Sequence, residues 1–496
     1  MTGLTAQQIA QIRTLYTAAL ERQQAKAWAE ARQLYQMLRG LAPQAVEIHN
    51  NLGLVQLELN QPEDAAESFR TAVALQPQDP VPLFNLGNAL TDAEDYDGAF
   101  AAYRRALILK PDFAEALNNM GSALMLAFQF PEAEQALRQA AALRPDRAKT
   151  QVNLADSLWA QGQLEAALET YRHALALEPD NPDAHMHYAL ALLRLGRLRE
   201  GWAEQEWRWR SPAHIPAQRV HLEPWTGQPL AGKTLLLHGE QGFGDDLQFL
   251  RFVPRLQALG AQVILRLDPS LLRLVTDFQT VSSRDPVPEA DYALSLLSLP
   301  HRLGLDLADI GIAAPYLTAD PALLRKWKNR TAHLTGFRVG LVWSGDPRIG
   351  SPQCTLLDRR RSFDLEVFAP LAQVPGVRFI SLQKGLRAAQ AVVPPAGMEL
   401  FDVMAEAEDF ADTAALIESL DLVISVDTSV VHLAGALGKP VWILSRTDGC
   451  WRWGLEGETT PWYPSARIFR QSRRSDWAEV IGRVSAALRE CAGPCG

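Results

Sequence analysis

VEIHNNLGLVQLELNQPEDAAESFRTAVALQPQD, residues 46–79, is one unit of a pattern that returns every 34 residues. Pro43, Pro77, Pro111, Pro145 and Pro179 mark the period. Small residues recur in step: Ala31, Ala65, Ala99, Ala133 and Ala167, and Gly53, Gly87 and Gly121 with Ala155 in the fourth slot. Tyr35, Phe69, Tyr103, Leu137 and Tyr171 keep a large residue at one further position. Small residues let the two helices of a hairpin approach, the large one fills the gap, and proline ends the second helix. A fixed period of this length predicts stacked helical hairpins, each burying its apolar face against its neighbours.

The period and the small/large alternation resemble the tetratricopeptide repeat (TPR). Five units fit, and a degenerate sixth, DAHMHYALALLRLGRLREGWAEQEWRWR (183–210), is expected to cap the stack. Asn51, Asn85, Asn119 and Asn153 share one slot on the first helix of each hairpin. First helices line the concave surface of such a solenoid, where a column of amides can grip the backbone of an extended peptide. The same amides can instead bond locally to the neighbouring repeat.

Beyond the repeats the period changes. SPAHIPAQRVHLEPWTGQPLAG (211–232) is rich in proline and turn residues and reads as a linker. TLLLH (234–238), a helix over 245–260 and QVILRL (262–267) give βαβ punctuation. A second α/β unit opens at FRVGLVWSG, with LEVFAPLAQ as a helix, and ends in a helix from SDWAEVIGRVSAALREC. The expected architecture is a TPR solenoid over 1–213, a linker over 214–232, and two Rossmann-like domains, 233–335 and 336–496, facing a cleft. Ligands bind such sheets at the carboxyl ends of the strands.

Bulk properties bound the function. A net charge of −9 argues against a general nucleic-acid binder, which needs a basic face. Four cysteines are too few for a disulfide scaffold and suggest a reducing, cytoplasmic compartment. Cys491 and Cys495 lack further ligands nearby, so they read as a frayed tail, and no metal site is expected. No apolar run reaches membrane-spanning length, so no membrane insertion is expected.

The chemistry-bearing stretches fall after strands. In SVDTSVVHLAGALGKP (425–440) a strand ends at Asp427, and Thr428 and Ser429 open a helix. Free N–H groups at a helix start, with the helix dipole, form an anion site, and His432 lies one turn on. Either residue can also serve as a plain cap. Arg361, in RRRSF before an expected helix, and Lys384 in LQKG are candidate phosphate cations. Ser344 and Gly345 in WSGD permit close approach to a ligand. Arg452 between Trp451 and Trp453 is an odd place for an uncommitted charge. HGEQGFGDDLQF (238–249) is glycine-rich, with Gly242 and Gly244, yet it carries Asp245 and Asp246 where a phosphate loop would avoid carboxylates. Its glycines do not fit G-x-G-x-x-G, which counts against an oxidoreductase.

DTSVVHLAGALGKP resembles the D-T-[GS]-x-x-H-x-A signature of the heptosyltransferases of glycosyltransferase family 9, and Gly244-Asp245 resembles the G-D that opens their first helix. The whole chain looks like the bacterial TPR–glycosyltransferase fusions, some linked to flagellin glycosylation, and its layout looks like that of the O-GlcNAc transferases. The resemblance implies a GT-B fold, a nucleotide-sugar co-substrate, no cofactor and no metal. It implies Asp245 as general base, with Glu240 in reserve, and Thr428, Ser429 and His432 on the donor phosphates beside Asp427, assisted by Arg361 and Lys384. Asp246 is expected only to favour the helix dipole. The leading expectation is transfer of a sugar to a protein hydroxyl, the acceptor being recruited by the TPR groove. A glycan or lipid-linked acceptor and a non-catalytic TPR scaffold are the alternatives.

Overall fold

The computed structural model describes residues 5–211, 220–240, 242–311, 314–347 and 352–492. Cys495 lies outside them. The chain divides into two compact units, Met1–Tyr188 and Ala189–Gly496.

The first unit is built from helical hairpins. They are α1 (Ala6–Gln24) with α2 (Trp28–Leu41), α3 (Val46–Glu58) with α4 (Pro62–Leu75), and α5 (Pro80–Asp92) with α6 (Tyr96–Leu109). There follow α7 (Ala114–Leu126) with α8 (Phe130–Leu143) and α9 (Ala148–Ala160) with α10 (Leu164–Leu177). The small/large pairing is physical contact. A Cβ added to Gly53, Gly87 or Gly121 would stand 2.7 Å from the Phe69 ring, 2.6 Å from the Tyr103 ring and 2.5 Å from Leu137 Cγ. Each hairpin turn holds a left-handed residue, again at the repeat period: Lys26, Asn60, Glu94 and Phe128, then Gly162 and Gly196. Only the glycines adopt that conformation without a steric penalty.

The sixth hairpin departs from the expectation of a simple cap. Its first helix, α11 (Pro182–Arg194), runs across the division between the units, and α12 (Leu198–Gln205) follows. Leu193, Leu198 and Trp202 belong to the apolar core of the second unit.

That unit holds two wholly parallel sheets. The first has the order β3-β2-β1-β4, from β1 (Thr234–His238), β2 (Gln262–Leu267), β3 (Gln279–Ser282) and β4 (Tyr292–Ser295). The second has the order β10-β9-β8-β5-β6-β7. Its strands are β5 (Phe337–Val342), β6 (Val377–Ser381), β7 (Leu400–Asp402), β8 (Leu422–Val426), β9 (Val441–Ser445) and β10 (Ala466–Arg470). The strands are nearly continuous apolar runs, as sheets covered on both faces require. Chain order reverses beside β1 and beside β5, and these reversals are where such sheets leave a crevice at their carboxyl ends.

Several sequence expectations need correction. Residues 245–260 are not one helix. Phe243–Phe249 is helical, 250–252 tightens to a 3-10 turn, and Val253–Ala258 resumes around Pro254, which has no N–H to continue the ladder. Leu365–Gln373 is a 3-10 helix with Pro370 inside it. The arginines of RRRSF end the helix Pro352–Arg361, and the 3-10 helix Leu365–Gln373 follows them. The second half of the linker is part of the fold: Pro224 bridges to Ala293 beside β4, and Trp225 is buried with its backbone N–H on the Ala293 carbonyl, 2.9 Å. Among the described residues, no helix is long and apolar enough to cross a membrane.

Candidate functional site

β1 delivers the chain to Gly239 and Glu240, and Gly242 caps the Phe243–Phe249 helix in extended backbone, φ −159°, that any residue adopts. The glycines that matter here are set by close approach. A Cβ on Gly239 would lie 2.5 Å from the Asp246 carboxylate, and one on Gly244 would lie 2.8 Å from the His432 ring. Gly244 therefore packs against the second sheet's Ser429–Ala436 helix instead of opening the turn to a ligand. That packing sets Asp245 beside the loop that follows β9.

From this loop Arg452 reaches back. Its guanidinium pairs with Asp245, donates to the Gln248 side chain and to Cys450 Sγ at 3.2 Å, and lies 4.4 Å over the Trp451 ring. The two side chains of the ion pair are 11% and 21% exposed, so the contact is largely desolvated. Burial opposes the Arg452 charge, but the facing Cys450, Asp245 and Asp427 outweigh it and hold the proton on more firmly than usual. The odd arginine between tryptophans is thus committed to the very aspartate that the sequence singled out.

His432 is buried. Its Nδ1 lies 2.8 Å from the Tyr463 hydroxyl, and its ring stacks on Trp453 at 5.5 Å. Burial, then Arg452 and Arg251, hold its pKa well below the usual imidazole value. The ring is neutral at pH 7, so it offers a phosphate at most a hydrogen bond and no charge. Thr428 occupies the N-cap position without a side-chain cap; its hydroxyl lies 3.1 Å from that of Ser425. Asp427, Thr428 and Ser429 are half-buried at the end of β8.

Arg361 reaches the same turn. Its Nη1 donates to the Asp427 carbonyl at 3.0 Å and its Nε to Asp358 at 3.0 Å. Gly345 is where this guanidinium crosses the end of β5: a Cβ there would meet Arg361 Nη2 at 2.1 Å. Its N–H donates to Ser362 Oγ at 3.0 Å, and the N–H of Ser344 donates to Gln383 at 2.9 Å. Arg361, Asp427, Ser344 and Gly345 are therefore one hydrogen-bonded constellation at the carboxyl ends of β5 and β8. Lys384 points its ammonium at the Ala407 carbonyl, 2.7 Å.

Two further expectations change. Glu240, the reserve base, is gripped by both arms of Arg208, at 2.9 and 2.6 Å, and also accepts from Ser295, so it is a structural acceptor. Asp246 does more than face the dipole. It is 6% exposed, and burial, then Asp245, Glu240 and Asp268, push its pKa well above the usual carboxyl range. In the repeats, the amide donors of the asparagine column bond between neighbours. Asn51 donates to Tyr16 at 3.1 Å, Asn85 to Asn50 at 2.7 Å, Asn119 to Asn88 at 2.9 Å and Asn153 to Asn118 at 3.0 Å. The next slot along is His187, whose Nδ1 lies 2.8 Å from Asp156. Sequence reasoning missed Gln383, Gln248 and the aromatic-caged Arg251, because each acts through a partner remote in the chain, and it missed Asp358, which takes Arg361 and Ser362 three and four positions on.

Models of the tetratricopeptide repeat match residues 16–80, 87–126, 113–144 and 155–196. A model of glycosyltransferase family 9 (heptosyltransferase) matches residues 377–479, a segment that holds Lys384, Asp427, Thr428, Ser429, His432 and Arg452. The chain is 31% identical to Protein FlbA of Caulobacter vibrioides over 337 residues, 61% of this chain and 54% of that one. It thus spans about half the length of this curated relative. Among solved structures, a thermophilic TPR protein of Thermus thermophilus is 24% identical, covering 37% of this chain and 99% of that one with a TM-score of 0.32. MamA of Desulfovibrio magneticus is 24% identical, covering 33% and 92%, with a TM-score of 0.30.

Proposed function

We propose that this fusion of tetratricopeptide repeats with a glycosyltransferase family 9 domain is a GT-B enzyme. It moves a sugar from a nucleotide-sugar donor to a serine or threonine hydroxyl of a protein recruited by the repeats, flagellin being the acceptor the resemblance suggests. The observation that carries the reading is the Asp245–Arg452 pair, which brings a carboxylate at the carboxyl end of β1 to a cation from the loop after β9. Asp245 accepts the proton of the acceptor hydroxyl as its oxygen attacks the anomeric carbon. The bond from that carbon to the donor phosphate breaks, and the nucleotide leaves with both electrons. The N–H groups opening the Ser429–Ala436 helix and the guanidinium of Arg361 stabilise the departing charge without a metal. Arg452 holds the Asp245 carboxylate in place before the donor arrives; negative charge growing on the leaving phosphate draws the guanidinium away and frees the carboxylate as a base. The transferred group is a hexosyl, heptosyl or nonulosonyl residue.

A second reading, a glycan or lipid-linked acceptor, is favoured by one fact: the asparagine donors are engaged between repeats, which weakens the amide grip on a peptide. The test is to incubate the full chain with a candidate acceptor protein and ADP-, UDP- and CMP-linked sugars, followed by intact-protein mass spectrometry. A mass increment on the polypeptide supports the first reading. Sugar appearing only on a glycan or lipid acceptor sinks it, and no transfer with any donor and acceptor sinks both.

A further inference from the structure

The loop that follows β9 begins Arg446-Thr447-Asp448, and guanidiniums converge on it from three directions. Arg360, from the end of the Pro352–Arg361 helix, pairs with the Asp448 carboxylate. Arg446 Nε lies 3.6 Å from the same carboxylate and Arg474 Nη2 lies 3.9 Å from it. Arg194, from the end of α11, donates to the Thr447 carbonyl at 3.0 Å. The Arg446 side chain is 9% exposed, and its Nη1 is buried without a hydrogen-bond partner. A buried, unanswered N–H on a charged group is costly, and an oxyanion is the ligand that answers it.

We propose that Arg360, Arg446 and Arg474, gathered around Asp448, form a binding site for a phosphate dianion, distinct from the helix start at Thr428. The like charges crowd one another. Burial first, and then the charge of Arg446, lower the proton affinity of Arg360 and Arg474, and Arg194 responds in the same direction. Burial would raise the pKa of Asp448, but the four arginines outweigh it and hold that carboxylate ionised. Asp448 keeps the guanidiniums gathered when no ligand is bound, and a dianion complements the positive charge that one carboxylate leaves. Arg360 and Arg361 are consecutive and face different strand ends: Arg361 serves β5 and β8, and Arg360 serves β9. The site therefore borders the donor side of the proposed transferase and rests on that reading only for its biological source of phosphate. It is tested by binding without turnover, so the two ideas fail separately.

The experiment titrates the full chain with inorganic phosphate by calorimetry at low salt. Saturable binding below about 10 mM is expected. Arg446→Gln should weaken it at least about tenfold, as should Arg474→Gln, which is more exposed and keeps the test available if the buried variant fails to fold. Adding ADP, UDP or CMP separates the sources: competition assigns the anion to the donor nucleotide, and independent binding assigns it to a phosphate elsewhere on a substrate. Either outcome keeps the site. Phosphate binding that is absent in the wild type or unaltered in Arg474→Gln overturns it.

Discussion

Replacing Asp245 by asparagine tests two roles at once. As the general base, Asp245 contributes about 10²- to 10⁴-fold, which is about 2.7–5.4 kcal/mol of barrier at about 1.36 kcal/mol per decade. As the partner of Arg452 it also holds a charge whose side chain is 11% exposed. Removing one member of a fully buried ion pair costs about 3–5 kcal/mol, and the 21% exposure of Asp245 lowers that to about 2–3 kcal/mol. Asp245→Asn should therefore lose both transfer rate and stability. The double variant Asp245→Asn/Arg452→Met separates the effects, since it removes the orphaned guanidinium and should regain stability to within about 1 kcal/mol of wild type. It should not regain transfer. The assays are thermal or urea unfolding followed by tryptophan fluorescence, and nucleotide release with a competent donor and acceptor. If the double variant recovers both stability and rate, Asp245 is a structural residue and the base lies elsewhere. If Asp245→Asn transfers at the wild-type rate, the mechanism is wrong at its first step.

Three further outcomes follow from the geometry. The neutral, buried His432 takes up no proton near pH 6.5, whereas the unfolded chain does, so this residue makes stability fall as pH drops below about 6.5, by up to about 1.4 kcal/mol per pH unit. Asp246 acts in the opposite sense, so the check is the urea midpoint of wild type minus that of His432→Phe from about pH 5 to 7, which must rise toward the alkaline end. His187 is raised to about 8, chiefly by Asp156; its stabilisation is complete below the unfolded value and is lost as pH rises through 8. With 45% of its side chain exposed this is worth less than about 1 kcal/mol, and an NMR titration should show Asp156→Asn returning it to about 6.5. Lys26 sits at φ 56° in the slot that Gly162 and Gly196 fill later, so Lys26→Gly should stabilise the repeats by about 1 kcal/mol in thermal unfolding, and a loss would refute the strain assigned to it.

The repeats were legible because their information is local and redundant. Gly87 and Tyr103 are close in sequence, lie in one hairpin, and repeat the same contact seen at Gly53 with Phe69. The α/β half announced its strands for a similar reason: parallel strands covered on both faces are plain apolar runs. Its helices were harder, since Pro254 and Pro370 convert segments of helical composition into 3-10 turns.

The chemistry was legible only as residue types. Asp245 and Arg452 are 207 positions apart, and nothing in either segment states that they meet. Arg208 and Glu240 pose the same problem across 32 positions, and there the pairing removes a candidate base that spacing alone had left open. Neutral packing residues tolerate this ignorance, because one apolar neighbour can stand in for another. A buried charge does not, since its protonation and its availability to a substrate depend on which opposite charge stands within a few ångströms. The two consecutive aspartates make the point: Asp245 faces a guanidinium, whereas Asp246 faces burial and further carboxylates that push its pKa well above the usual carboxyl range, so adjacent residues of one kind meet opposite surroundings. A sequence motif can therefore nominate the carboxylate, but the partner it meets in the fold decides whether that carboxylate is a base, a brace or a buried acid.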